Sequence, residues 1–169
     1  MVFYFCRMEK EVSTIVKVRF NDCDPIGHLN NTKYIDYMLN AREDHVESHY
    51  GFTYEEYTRR TGCTWITIQN EIAYLKEVRY NARVKISSKT ISISDRISKV
   101  EILMMNEEGT QVHAVLWMTI IYFNMKTRRS EVHPPETKDL FESFLVDLEQ
   151  DDFQSRVQFL RNQNKKATA

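Results

Sequence analysis

Residues 18–31 read VRFNDCDPIGHLNN, and the segment after them, 31–50, carries the spacing of a long amphipathic helix. These two stretches decide the fold. A β-branched, apolar run ends at Phe20, and Asp22 and Asp24 follow it. Pro25 then fixes one backbone dihedral and Gly27 permits an unusual one, just ahead of His28, Asn30 and Asn31. Asn30 or Asn31 suits the helix N-cap, because an Asn side chain accepts from an exposed backbone N–H. Beyond it Tyr34, Ile35, Met38, Leu39, Ala41 and Val46 recur with helical period, and Gly51 supplies a left-handed stop. Such a strand–turn–helix junction sets carboxylates beside unpaired N–H groups and the positive end of a helix dipole.

Outward from this junction the period changes. Upstream, 12–20 reads as a strand, with Lys17 and Arg19 alternating outward. Downstream, 52–62 is polar and aromatic, a short helix or turn. In 64–74, Ile66, Ile68, Asn70, Ile72 and Tyr74 alternate with polar residues, which predicts a strand with that face buried. Segments 83–94, 99–105 and 111–123 are three more strands, with a tight NEEG turn at 106–109. Residues 114–123 are almost continuously apolar, so this strand is expected to be central and covered on both faces. Pro134 and Pro135 end the sheet. A C-terminal helix is expected over 136–161, with Leu140, Phe141, Phe144, Leu145 and Leu148 on one stripe, before a frayed polar tail.

The order strand, long helix, four meandering antiparallel strands and C-terminal helix predicts an α+β fold in one domain, 1–169, with its core at about 12–135. Twenty helical residues span about 30 Å, and five strands span about 20–25 Å. One helix therefore reaches across the whole sheet. Four scattered glycines cannot build a dinucleotide or triphosphate loop.

Composition narrows the chemistry. Lys plus Arg number 23 and Asp plus Glu 24, so no basic field points to nucleic acid. No apolar run is long enough to span a membrane, and MVFYFCR at the start is too short for a signal peptide; Met8 is an alternative start. Cys6, Cys23 and Cys63 lack CxxC spacing and read as reduced thiols, which points to a cytoplasmic protein.

Asp24 carries the first candidate chemistry. A carbonyl held at the helix start would be polarised, and a neighbouring carboxylate could activate water or attack directly. The same residue could equally make an Asx turn or a cap. His28 could orient a substrate or bond a backbone carbonyl. His45 and His49, at i and i+4, share a helical face, but HVESH is not HExxH, and surface or interface histidines are expected rather than a metal site. Asp22-x-Asp24 lacks the nucleotide-binding context of a metal-binding DxD. Lys126, Arg128 and Arg129 form a basic turn that could meet phosphates, including across a dimer, or simply be solvated. Met104, Met105 and Met118 read as core filler.

Residues 18–43, VRFNDCDPIGHLNNTKYIDYMLNARE, resemble the signature segment of the hotdog-fold acyl-CoA thioesterases, in the 4-hydroxybenzoyl-CoA thioesterase-like branch. The shared pattern is a strand, D-x-D, a glycine, N-x-x-Y and an aromatic-rich helix. Residues 117–136, WMTIIYFNMKTRRSEVHPPE, resemble that family's last strand, basic turn and closing prolines. The resemblance implies a hotdog fold, with a five-stranded antiparallel sheet around a long central helix, and hydrolysis of an acyl-CoA to free acid and CoA. It implies Asp24 as general base or nucleophile, a backbone N–H at Asn31 on the thioester oxygen, and His28 as an assistant. Asp22 would be support. Asn30, Tyr34, Lys126, Arg128 and Arg129 would contact substrate, with Tyr37 packed along the helix. No metal or redox cofactor is implied, since CoA is part of the substrate. A homodimer or homotetramer with sites at the subunit interface is implied as well. Tyr80-Asn81 stands where the branch often has Gly-Asp, and His28 where its closest members have an apolar or aromatic residue. Alternatives within the fold are an acyl-ACP thioesterase, which needs a basic docking face, and a non-catalytic acyl-binding module.

Overall fold

The computed structural model describes residues 10–167. Cys6, Met8 and the apolar N-terminal stretch lie outside them. The chain begins with β1 (Val12–Lys17), continues through α1 (Asn31–Tyr50) and α2 (Tyr54–Thr61), and then lays down β2 (Cys63–Tyr74), β3 (Arg83–Ile93), β4 (Ile97–Asn106), β5 (Val112–Asn124) and a two-residue β6 (Arg129–Ser130). Two helices follow, α3 (Pro135–Ser143) and α4 (Phe153–Ala167). The strands form one antiparallel sheet in the order β1-β3-β4-β5-β2, with β6 paired to β5. The expected meander holds only from β3 to β5, because β2 crosses to the far side of β5 and leaves β1 to pair with β3. This is the expected α+β hotdog architecture, with α1 packed over β1, β3, β4 and β5.

Local chemistry explains α1. Asn30 has extended backbone angles and its side chain accepts from the Thr32 N–H at 3.0 Å; Gly51 ends the helix at φ +75°. Tyr34, Met38 and Ala41 enter the larger core with Ile86, Ile102, Met104 and Leu116 from the sheet. β5 lies between β4 and β2, as its apolar run requires. Ala114, Leu116 and Met118 face α1, whereas Val115 and Trp117 face α4 across a second core. Met104, Met105 and Met118 are buried, as their reading as core filler requires.

Four further expectations need correction. The first strand stops at Lys17, and Phe20–Asp22 forms a 3-10 turn that leaves Phe20 exposed, its ring edge-on to Tyr80. The alternation in β2 does not keep one face buried. A bulge between Thr67 and Gln69 exchanges the two faces, so Trp65 before it and Ile72 after it both pack on the larger core. Such an extra residue inverts every side chain beyond it. Ile66 and Ile68 are consequently 37% and 52% exposed on an edge strand.

The third correction concerns the C-terminal helix, which is two helices. Between them the Val146 N–H donates to the Thr90 carbonyl at 2.9 Å, and Leu145 bridges in parallel with Thr90, so this segment joins the sheet. Asp152 then caps a new helix by accepting from the Ser155 N–H. The fourth is the polar tail, which is helical as far as Ala167, and Asn164 exchanges two hydrogen bonds with the backbone of Val112.

α4 covers the outer face of the sheet. Phe153, Val157 and Leu160 pack on Leu103, Val115 and Trp117. Arg156 makes a two-pronged ion pair with the fully buried Glu101, at 2.8 and 2.7 Å. Glu101 also accepts from the Trp117 indole and lies 3.4 Å from Lys89.

Candidate active site at the start of the long helix

The loop between β1 and α1 is held by the Asp24 side chain, by its own backbone and by the neighbouring residues 78–80. Asp24 Oδ1 accepts from the N–H groups of Ile26 (3.1 Å) and His28 (3.0 Å). The Asp24 N–H donates to the His28 carbonyl at 2.7 Å, and the Gly27 N–H to the Asp24 carbonyl at 3.0 Å. This closure needs φ +82° at Gly27, a left-handed conformation that glycine adopts without steric cost. Residues 78–80 pin the loop from outside through Leu29 N–H to the Val78 carbonyl and Tyr80 N–H to the Gly27 carbonyl. Asn81 makes the turn there at φ 68°, which an Asn tolerates better than most residues.

Asp24 therefore does make an Asx turn, but with one oxygen only. Among the described residues Oδ2 has no hydrogen-bond partner. One cavity of about 300 Å³ gathers Asp24, His28, Asn31 and Tyr34 with Tyr74 and Glu77. Asn31 is the first residue of α1; its carbonyl accepts from the Tyr74 hydroxyl at 3.0 Å, and its N–H makes no protein hydrogen bond among the described residues. The first turn of α1 holds no acidic side chain, so nothing there neutralises the positive end of the helix. His28 Nδ1 lies 3.7 Å from Glu77. Tyr34 accepts from the Val78 N–H at 3.2 Å, and burial raises the pKa of its phenol, which stays protonated.

Other predicted residues fall elsewhere. The Asn30 side chain is engaged in the cap and in a 2.8 Å bond with the Thr32 hydroxyl. Asp22 accepts from the Tyr37 hydroxyl at 2.7 Å, a bond on the opposite flank of α1. Lys126, Arg128 and Arg129 are exposed on the β5–β6 turn beside Asn124. Asn124 pairs with Cys63, whereas the site-lining Tyr74 pairs with Ala114. The two ends of β2 are about 35 Å apart, so within one chain the basic turn and the Asp24 cavity occupy opposite ends of the sheet. Tyr74 and Glu77 carry no motif; only the folding of β2 back onto α1 brings them to the site.

Two side groups settle as well. His45 is a core residue, not a surface or interface histidine: its ring bonds Ser88 at 2.8 Å and Thr14 at 2.9 Å. Burial, reinforced by the nearby charges of Arg42 and His49, lowers its pKa to about 4. Cys23 is half-buried, and burial together with Asp22 and Asp24 raises its thiol pKa, against a nucleophilic thiolate. A larger cavity of about 730 Å³ lies between β1 and α1, with mixed acidic and basic walls.

A sequence model of the thioesterase-like superfamily matches residues 18–141. Among curated proteins none matches the sequence. Solved structures share the fold at low identity. DHNA-CoA thioesterase from Staphylococcus aureus is similar at TM-score 0.69 and 21% identity, over 90% of this chain and 93% of that one. The probable thioesterase YbaW from Escherichia coli is similar at TM-score 0.69 and 21% identity, over 79% and 98%. A further Staphylococcus aureus protein, solved in complex with CoA, is similar at TM-score 0.75 and 15% identity, over 89% and 93%. The family match spans the Asp24 loop, α1 and all the strands from β2 to β6, and the chain accordingly belongs to the thioesterase-like superfamily of thioester hydrolases.

Proposed function

We propose that the protein hydrolyses an acyl-CoA to free acid and CoA at the Asp24 cavity. The observation that carries this reading is the pairing of an unengaged Asp24 Oδ2 with an unengaged Asn31 N–H, among the described residues, at the start of α1 in one cavity. The thioester oxygen takes the Asn31 N–H and the positive end of the helix, which hold the oxyanion more strongly than the ground-state carbonyl. Asp24 Oδ2 removes a proton from water as water attacks the carbonyl carbon. In the nucleophilic variant Oδ2 attacks, CoA leaves as thiolate, and water then cleaves the mixed anhydride. His28, steadied by Glu77, orients the thioester or returns the proton to the leaving sulfur. The chemistry asks for no metal or redox cofactor.

A homodimer completes the site in this reading. Among the described residues β2 presents an unpaired outer edge with exposed Ile66 and Ile68, a surface that invites strand pairing. A two-fold axis near the middle of β2 sets Cys63 of one chain against Tyr74 of the other. It thereby carries the partner's Lys126, Arg128 and Arg129 to the same end of the joined sheet as the Asp24 cavity, where they can meet CoA phosphates. A tetramer built on the outer face is disfavoured, because α4 already covers that face. Reduced Cys23 and Cys63 suit a cytoplasmic enzyme.

Thiol release from a panel of acyl-CoAs, with acyl-ACPs run in parallel, tests the proposal. Turnover of acyl-CoAs is expected. Turnover of acyl-ACPs alone would assign the other carrier, and no turnover of either would leave a non-catalytic acyl-binding module.

A further inference from the structure

Two side-chain polar atoms among the described residues are buried without a hydrogen-bond partner, Arg42 Nε and Ser98 Oγ. Arg42 is 6% exposed and has no carboxylate within ion-pair distance among the described residues. Its guanidinium donates weakly to Ser88 (3.3 Å) and Tyr50 (3.2 Å) and lies over the Tyr50 ring. A buried cation whose partners, Ser88, Tyr50 and the nearby Tyr54 hydroxyl, are all neutral is an incomplete arrangement, since desolvated charge is ordinarily matched by an opposite charge.

Arg42 also lines a second cavity of about 300 Å³, with Leu39, Trp65, Met118 and Ile120 as its apolar walls and Tyr54, Thr64 and Thr67 as hydroxyl-bearing ones. Ser98 stands across the ladder from Ile120 and faces the same side of the sheet. Along α1, Asn31, Tyr34, Met38 and Arg42 fall at helical spacing on one stripe. Arg42 is eleven residues beyond Asn31, about 16 Å at the helical rise. Between the two cavities stand Ile35 on α1 and Ile72 on β2, both half-buried. An acyl chain attached at the Asn31 end would run over apolar surface and finish beside a guanidinium.

On the reading that Asp24 and Asn31 cleave an acyl-CoA, we propose that the preferred acyl group is of medium length and carries a distal carboxylate, bound by Arg42. A carboxylate in the cavity supplies the guanidinium with its missing counter-charge. A methyl-ended chain of the same length leaves the cation buried and unpaired. Glu43 shares the cavity but is exposed, where water screens it.

Dicarboxylic acyl-CoAs up to dodecanedioyl-CoA, each paired with its methyl-ended counterpart, test this against wild type and Arg42→Met. The expected wild-type preference for the carboxylate-ended member, in kcat/KM, is at least about tenfold at the best length. Arg42→Met is expected to abolish it while turnover of the methyl-ended member persists. A wild-type preference for methyl-ended chains, or one unchanged by Arg42→Met, overturns the proposal. Calorimetric binding of free dodecanedioate and dodecanoate separates it from the thioesterase reading. If no thioester is cleaved, that reading fails, yet Arg42-dependent binding of dodecanedioate would still support the carboxylate site and equal binding of both acids would refute it. Should Arg42→Met melt early, Arg42→Gln, which retains a donor, replaces it in both measurements.

Discussion

The two oxygens of Asp24 have different tasks, and substitutions can separate them. Oδ1 holds the loop through Ile26 and His28, whereas Oδ2 faces chemistry in our mechanism. Asp24→Asn keeps an acceptor for the loop. Asp24→Ala removes it, and a loss of about 1 kcal/mol in unfolding free energy is expected from denaturant titration. His45 gives a pH signature. Its folded pKa, about 4, is below the ordinary histidine value of 6.5, so the unfolded chain binds the proton first as pH falls. The His45 contribution to stability is complete above about 6.5, is lost progressively down to about 4, and amounts to about 3 kcal/mol. His45→Gln should flatten stability against pH in that window. His113 and His133, also lowered mainly by burial, should retain part of the slope.

Among the elements, α1 and the individual strands were legible because each has a single dominant period, whereas the place of β2 beside β5 was not, since periodicity does not say which strands pair. The Asp24 loop was legible because Pro25, Gly27 and the asparagines leave its backbone few choices. The bulge in β2 was not, since the apolar alternation of Ile66, Ile68 and Ile72 continues through it while the chain inverts. Nor was the break after α3. The stripe from Leu140 to Leu148 keeps a helical period, and the contest is decided by Thr90, which offers Val146 a sheet bond instead. Tyr74 and Glu77 were illegible for a related reason, as their nearness to Asp24 is purely tertiary. Asn30→Ala removes the cap of α1 and is expected to cost about 1 kcal/mol by thermal or denaturant melting.

At the scale of the molecule, the sheet has one face under α1 and the other under α4, which leaves the outer edges of β1 and β2 open among the described residues, with Ile68 exposed on the β2 edge. Ile68→Lys places a charge on that edge, and the proposed dimer should dissociate to monomer in sedimentation, with reduced turnover if the partner's basic turn serves CoA. A monomeric wild type would contradict this assembly. On the outer face, Arg156→Met removes the two-pronged partner of Glu101. Leaving that charge under-compensated should destabilise the protein by about 3–5 kcal/mol in denaturant unfolding.

If Asp24 drives thioester cleavage at the start of α1, the most direct measurement is thiol release from one cleaved acyl-CoA by wild type and Asp24→Asn, with melting temperatures taken on the same samples. A fall in kcat of about 100-fold or more is expected, with melting nearly unchanged because the loop keeps its Oδ1 acceptor. Turnover by the Asp24→Asn variant at the wild-type rate would contradict the role assigned to this carboxylate.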